Sequence, residues 1–223
     1  HAVIPATANP DVQMVVRNYC KPEMMISQTA FDPSTGLMDL DDLRSKVSSS
    51  TAAVLVENPS YLGFFENQVS ESGEICRESG AEFIVYADPI SLGVVAPPSQ
   101  YGATFACGDF QPLGMHMQAG GGQGGYIATS DEMKYVAEYK DLLFGLTETV
   151  KDGEYGFGEV LFDRTSYGSR DEGKEYTGTS TGLWGVTAAV YLSLMGPKGM
   201  QETVQTIMQM SQYAAKRLAA VPG

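Results

Sequence analysis

Three short segments hold the side chains best placed for chemistry, and each follows a run rich in β-branched or aromatic residues. In "FIVYADPISLG" the run Phe83–Ala87 ends at Asp88. In "VENPSYLGFFEN" the run Ala53–Glu57 ends at Asn58-Pro59. In "GDFQPLGMHMQAGGGQGG", Gly108 to Gly125, a strand-like stretch passes into Gln111 and a loop with seven glycines in eighteen residues. In open α/β sheets the carboxyl edge of the strands is where ligands bind. Asp88 there either holds a protonated pyridine nitrogen of a bound cofactor or starts the turn before Pro89. Asn58 either contacts a ligand or shapes its own turn. The glycine loop brings backbone close to something, yet its one titratable side chain is His116, which either lines a pocket or is solvated. No lysine occurs between Lys46 and Lys134.

The elements that must position these residues alternate along the chain. Strand-like runs are Ala2–Pro5, Met25–Ala30, Ala53–Glu57, Phe83–Ala87, Thr104–Cys107 and Gly125–Thr129. Helical patterns fall between them. Asp11–Cys20 places Val12, Val15, Val16 and Tyr19 on one face; Asp39–Val47 opens with acids, which suit a helix N-terminus; Asn67–Ser79 is stopped by Gly80. Strands alternating with helices predict a mostly parallel sheet covered on both faces. Leu183–Leu194 is apolar almost all round, which predicts a buried helix. "GPKG" breaks it, and Met200–Leu218 reads as a long amphipathic helix. Met115, Met117, Met200, Met208 and Met210 read as core or interface filler, and Tyr126 and Trp184 as packing residues near the sheet.

Composition excludes several classes. Fourteen Lys and Arg against 27 Asp and Glu leave a net charge of −13 in 223 residues, which disfavours binding to nucleic acid or an anionic membrane. No run approaches the roughly 20 apolar residues of a membrane span. Cys20, Cys76 and Cys107 are odd in number and free of CxxC, which reads as reduced thiols in a cytoplasmic protein. No His/Cys/Asp/Glu cluster has metal-ligand spacing. "TGTSTG", Thr177 to Gly182, has the look of a phosphate-binding turn before a helix but lacks the GK[ST] of a P-loop.

Taken in order, "ENPSYLGFFEN", "ADPISLGVVAPPSQYGA", "GDFQPLGMHMQAGGGQGGYIAT", "YGFGEVLFDR" and "TAAVYLSLMGPKGMQE" span nearly the whole chain. They resemble the N-terminal-half subunit of the glycine cleavage system P-protein, glycine dehydrogenase (decarboxylating). The resemblance implies an α/β, three-layer large domain of the aspartate-aminotransferase type (pyridoxal-phosphate fold type I). Five strands would be parallel and Gly125–Thr129 antiparallel. With the family's first strand counted as one and absent here, the spatial order would be 3-2-4-5-6 and then the final strand. It implies a heteromeric enzyme that decarboxylates glycine and passes the aminomethyl group to the lipoyl H-protein. Pyridoxal phosphate would sit on a lysine of the other, homologous subunit and not on this chain. Gln111 would then lie near the Schiff-base lysine position, and Asn58, Asp88 and His116 would line a vestigial cofactor pocket. Where many members read basic, this chain has "RDEGKEYTGTSTG", Arg170 to Gly182, which puts an anion contact there in doubt.

The family is about twice as long. Residues 1–182 read as a large-domain segment lacking its first strand, and 183–223 as helices leading toward a small domain. The abrupt ends lead us to expect a piece of a longer chain, inactive alone and prone to self-association through the Gly125–Thr129 edge. The competing expectation is a catalytically inert structural or interaction module.

Overall fold

A computed structural model describes residues 1–116, 122–173, 176 and 181–222. The chain divides into two compact units, His1–Ala128 with Leu183–Gly223, and Thr129–Gly182.

In the first unit, strands β1 (Ala2–Pro5), β2 (Ile26–Thr29), β3 (Ala53–Glu57), β4 (Glu82–Tyr86), β5 (Phe105–Asp109) and β6 (Gly125–Thr129) form one sheet in the order β2-β1-β3-β4-β5-β6. This is the expected order, with strand bounds within a residue or two of those read from the sequence. Pairing from β2 to β5 is parallel, with Ala2 against both Ile26 and Ala53, Glu57 against Tyr86, and Tyr86 against Cys107. At the other edge Phe110 N–H donates to Gly124 O while the Tyr126 ring lies over Gly108. One strand descends as its neighbour ascends, so β6 runs antiparallel to β5.

The helices are held by local chemistry. Helix α1 (Pro10–Cys20) starts where Asn9 accepts from Asp11 N–H and Pro10 takes the first helical position. Helix α2 (Leu40–Lys46) is capped by Asp39, whose carboxylate accepts from the N–H of Asp41 and Asp42 at 3.0 Å. Arg44 and Lys46 occupy its last turn, favourable to the helix dipole. Helix α3 (Val69–Ser79) ends at Gly80, in the left-handed region at φ 79°.

Strand alternation sends successive side chains to opposite faces. Val54, Val56, Phe83 and Val85 pack with Leu43 of α2 and Ile75 and Cys76 of α3 in the main core. This is the closed face. Leu55, Ile84, Tyr86 and Cys107 point the other way, where α1 supplies Val12, Val15, Val16 and Cys20 and leaves a groove of about 880 Å³. This is the open face. Tyr19, expected on the apolar side of α1, is exposed.

The second unit contains a short helix, α4 (Met133–Val136), and an antiparallel hairpin of β7 (Phe144–Glu148) and β8 (Tyr155–Glu159) that the sequence reading missed. The Arg164 guanidinium clamps this unit, donating to the carbonyls of Val160, Tyr139 and Asp141.

Helix α5 (Gly182–Ala219) belongs to the first unit and breaks at Gly196, φ 58°, just before Pro197, as "GPKG" predicted. One stripe of it, with Ala188, Met200 and Val204 and the flanking Trp184, Tyr191, Met195 and Met208, closes a second core around Ile90, Leu113 and Met115. The expected burial of Leu183–Leu194 on all sides is not found. Leu183, Val186, Val190 and Leu194 are exposed, because the first unit meets only one stripe of the helix. Met210 is also exposed; Met117 and most of the turn at 177–182 lie outside the described residues.

Candidate functional site

The carboxyl ends of β3, β4 and β5 bring three of the sequence-derived candidates to one edge. Asn58 N–H donates to Tyr86 O, and Ala87 N–H to Cys107 O, so pairing continues one residue past each strand. Asn58, Asp88 and Gln111 therefore follow adjacent, registered strands.

Each is held differently. Asn58 is buried; its carbonyl oxygen accepts from Glu66 N–H at 3.2 Å and its amide bonds the Tyr101 phenol. Burial pushes the Tyr101 phenol up to about 12, opposed by that amide. Asp88 is exposed, and one carboxylate oxygen accepts from Ile90 N–H at 2.9 Å. That is the turn role, and it uses one of the two oxygens. The Gln111 side-chain amide donates to Met115 O at 2.8 Å, and its backbone N–H to the Asp109 carboxylate at 2.7 Å. Its amide is thus turned into its own loop. His116, five residues on, is exposed.

Both site loops rest on α5. Ile90, after Asp88, and Leu113 and Met115, after Gln111, are the buried residues that meet its inner stripe. Gly114 makes this fit possible: its φ is +86°, and an added Cβ would fall 2.9 Å from the Tyr191 side chain. Gly108 does the same on the strand itself, where a Cβ would sit 2.2 Å from Ala87 O. That clearance lets the Tyr126 hydroxyl donate to Ala87 O at 2.8 Å, beside Asp88.

Two residues with a hand in the site escaped the sequence reading. The Glu57 carboxylate is buried and accepts from the N–H groups of Asn9 and Tyr61, each at 3.0 Å, pinning the start of α1 over the open face. Glu66, also buried, accepts from Met38 N–H at 2.8 Å. The signal for Glu57 was present in "AVLVEN", where an acid ends an otherwise apolar strand. Tyr86 reports the field at this edge. Burial raises its pKa, and Asp109, Cys107, Glu57 and Asp88 raise it further. Burial likewise drives the Tyr126 phenol upward, with Cys107 and Asp88 adding to it. The edge is rich in carboxylates, and no metal-holding cluster occurs among the described residues. Nor does any described helix have the length and apolarity to cross a membrane.

Such an edge can accept hydrogen bonds and hold a cationic or N–H-bearing group. Among the described residues it offers no nucleophilic amine.

Comparison with known proteins gives this arrangement a context. The chain is 36% identical over 220 residues to the probable glycine dehydrogenase (decarboxylating) subunit 1 of Staphylothermus marinus, covering 98% of this chain and 47% of that protein. The subunit 1 of Aeropyrum pernix is 34% identical, with 99% of this chain and 48% of the relative aligned. The chain thus spans about half the length of the curated relatives it matches. A crystal structure of glycine decarboxylase (P-protein) of the glycine cleavage system, in inhibitor-bound form, superposes with a TM-score of 0.88 at 31% identity, over 100% of this chain and 49% of that one. A sphingosine-1-phosphate lyase from Burkholderia pseudomallei, 18% identical with a TM-score of 0.63, shares the fold over 99% of this chain and 47% of that one. The family model for the glycine cleavage system P-protein matches residues 1–221, and the chain belongs to that family.

Proposed function

We propose that this chain is part of the subunit of a glycine decarboxylase that carries no Schiff-base lysine. It would work in a heteromer that decarboxylates glycine and passes the aminomethyl group to the lipoyl H-protein in the cytoplasm. One observation carries the reading. The chain reads "GDFQPLG" where β5 ends, and the Gln111 amide, at the place we assign to the absent lysine, is spent on Met115 O.

The residues present do not fit a covalently held pyridoxal phosphate, because a Schiff base needs an amine and none lies between Lys46 and Lys134. In this proposal the cofactor belongs to a homologous second subunit. Asn58, Asp88, Gln111 and His116 form a vestigial pocket, and the loops seated on α5 give this chain a rigid wall to set against its partner. The exposed carboxylate of Asp88 is the group there best placed to accept a hydrogen bond.

Co-purification with a lysine-bearing homologue, followed by a glycine decarboxylation assay with and without this chain, tests the proposal. Association together with activity that depends on this chain is the expected result. Full activity of the homologue alone would leave this chain an inert module.

A further inference from the structure

Strand β2 stands at one edge of the six-stranded sheet and pairs with β1 on its inner side. In a parallel pair, alternate residues turn their backbone N–H and C=O groups toward the neighbour. Ala2 N–H donates to Met25 O and Ala6 N–H to Thr29 O, so Met25, Ser27 and Thr29 face β1. Ile26, Gln28 and Ala30 therefore turn theirs outward. An open row of this kind is a template on which another chain adds a strand. Here most of the row is taken. The Arg17 guanidinium donates to Ile26 O at 3.3 Å, and the Lys46 ammonium to Gln28 O at 2.7 Å. Ala30 N–H donates to the Asp42 carboxylate at 2.6 Å, and Ala30 O accepts from Asp39 N–H at 3.0 Å.

The two cations reach this edge from opposite layers. Arg17 lies in the last turn of α1, on the open face, and Lys46 in the last turn of α2, on the closed face. The Asp42 oxygen that accepts from Ala30 also holds Lys46, at 2.5 Å, one helical turn away on α2. The bond to Lys46, and after it the bond from Ala30 N–H, keep the Asp42 carboxyl below its usual range. A strand laid against β2 needs the carbonyls of Ile26 and Gln28 as acceptors for its own N–H groups. To reach them it must displace Arg17 and Lys46.

We propose that Arg17, Asp42 and Lys46 form a lock that closes the β2 edge to strand addition by a second copy of this chain. The Arg17→Met/Lys46→Met pair tests it, since methionine keeps an apolar stem and a good helix former while removing both donors. The pair also makes a chain of charge −13 more negative, which opposes association, so a gain in association reports the freed backbone. Analytical ultracentrifugation should find the pair self-associating about 10-fold more tightly than the wild type, the scale of two net backbone hydrogen bonds. Lys46→Arg, which keeps a donor, should stay at the wild-type level. Hydrogen exchange locates the contact: on association of the pair, the peptide carrying Ile26 and Gln28 should gain protection. Circular dichroism checks the fold. If the pair unfolds, Lys46→Met alone decides, with an expected gain of about 3-fold. Unfolding of that variant as well would make the two cations ties of the fold and overturn the lock. Folded variants that associate as the wild type does also overturn it. So does tighter association without gained protection at Ile26 and Gln28, which would place the contact elsewhere, as on the Gly125–Thr129 edge.

Discussion

The two faces of the six-stranded sheet are built from the same kinds of residue and meet different fates. On the closed face, Val54, Val56, Phe83 and Val85 lie beneath two helices and are 0 to 2% exposed. On the open face, Leu55, Ile84, Tyr86 and Cys107 share one helix and an 880 Å³ groove. Parallel sheets are ordinarily covered on both sides. The strand chemistry is therefore sufficient for two cores, and the number of helices laid on each face decides where one forms.

Adjacent residues of β4 offer the sharpest test. Phe83→Ala opens a cavity on the closed face and should destabilise by about 3–5 kcal/mol. Ile84→Ala, one residue on, should lose about half of that or less, since its face is already wet. Urea unfolding midpoints measure both. Equal losses would mean that the groove is closed in solution, and the contrast between faces would fail.

Glu57 is the tie that holds the open face's single helix. Glu57→Ala leaves the Asn9 and Tyr61 N–H groups without their acceptor, at a cost of about 1–3 kcal/mol. Hydrogen exchange should show where the loss falls. Protection in α1 should drop while α3, on the closed face, keeps its protection. A uniform drop in both helices would show that the faces are not separately anchored.

How far the sequence alone could reach follows from the same contrast. The strands and helices α1 to α3 were legible because alternation, capping residues and Gly80 are local signals, whereas the order of the strands in the sheet came from the family resemblance. The carboxyl-edge candidates were legible because each follows a strand end. The coverage of a face was not legible: Leu183–Leu194 reads as apolar all round, and only folding shows that one stripe is met. Glu57 was missed because its partner Asn9 lies 48 residues away. The β7–β8 hairpin was missed although "KDG", with Gly153 at φ 74°, is a hairpin turn signal. Its glycines at 145, 156 and 158 dilute the alternation on either side.

A smaller effect distinguishes the faces through their cysteines. Burial raises the Cys76 thiol from 9.0 to about 12. The folded protein thus favours the neutral thiol more than the unfolded chain does. That stability is fully present below pH 9 and is lost as the pH rises toward 12. Tyr101 acts in the same direction, from 10.0 to about 12. Cys76→Ala should flatten the alkaline part of the stability profile. Cys107, also raised by burial, lines the open groove, so a thiol reagent at neutral pH should modify it before Cys76. Equal rates would place both thiols behind equal cover.

The smallest expected effect is none at all, and it concerns the edge that both faces share. Chemistry at the carboxyl ends of β3 to β5 is limited by the groups present, whatever covers the sheet above or below. The side chains there are carboxylates, amides and phenols. The lysines that bracket the region are Lys46, bonded to Asp42 and Gln28 O, and Lys134, paired with Glu132 in the second unit. Neither follows a strand of the sheet at that edge. Incubation with pyridoxal phosphate and borohydride reduction should therefore label no residue in the peptide carrying Asp109, Gln111 and Met115. Scattered labelling of exposed lysines is expected and leaves this intact. Stoichiometric labelling within that peptide would require a nucleophile the edge does not contain, and would end the reading of Gln111 as the mark of a subunit that lends its partner a wall rather than an amine.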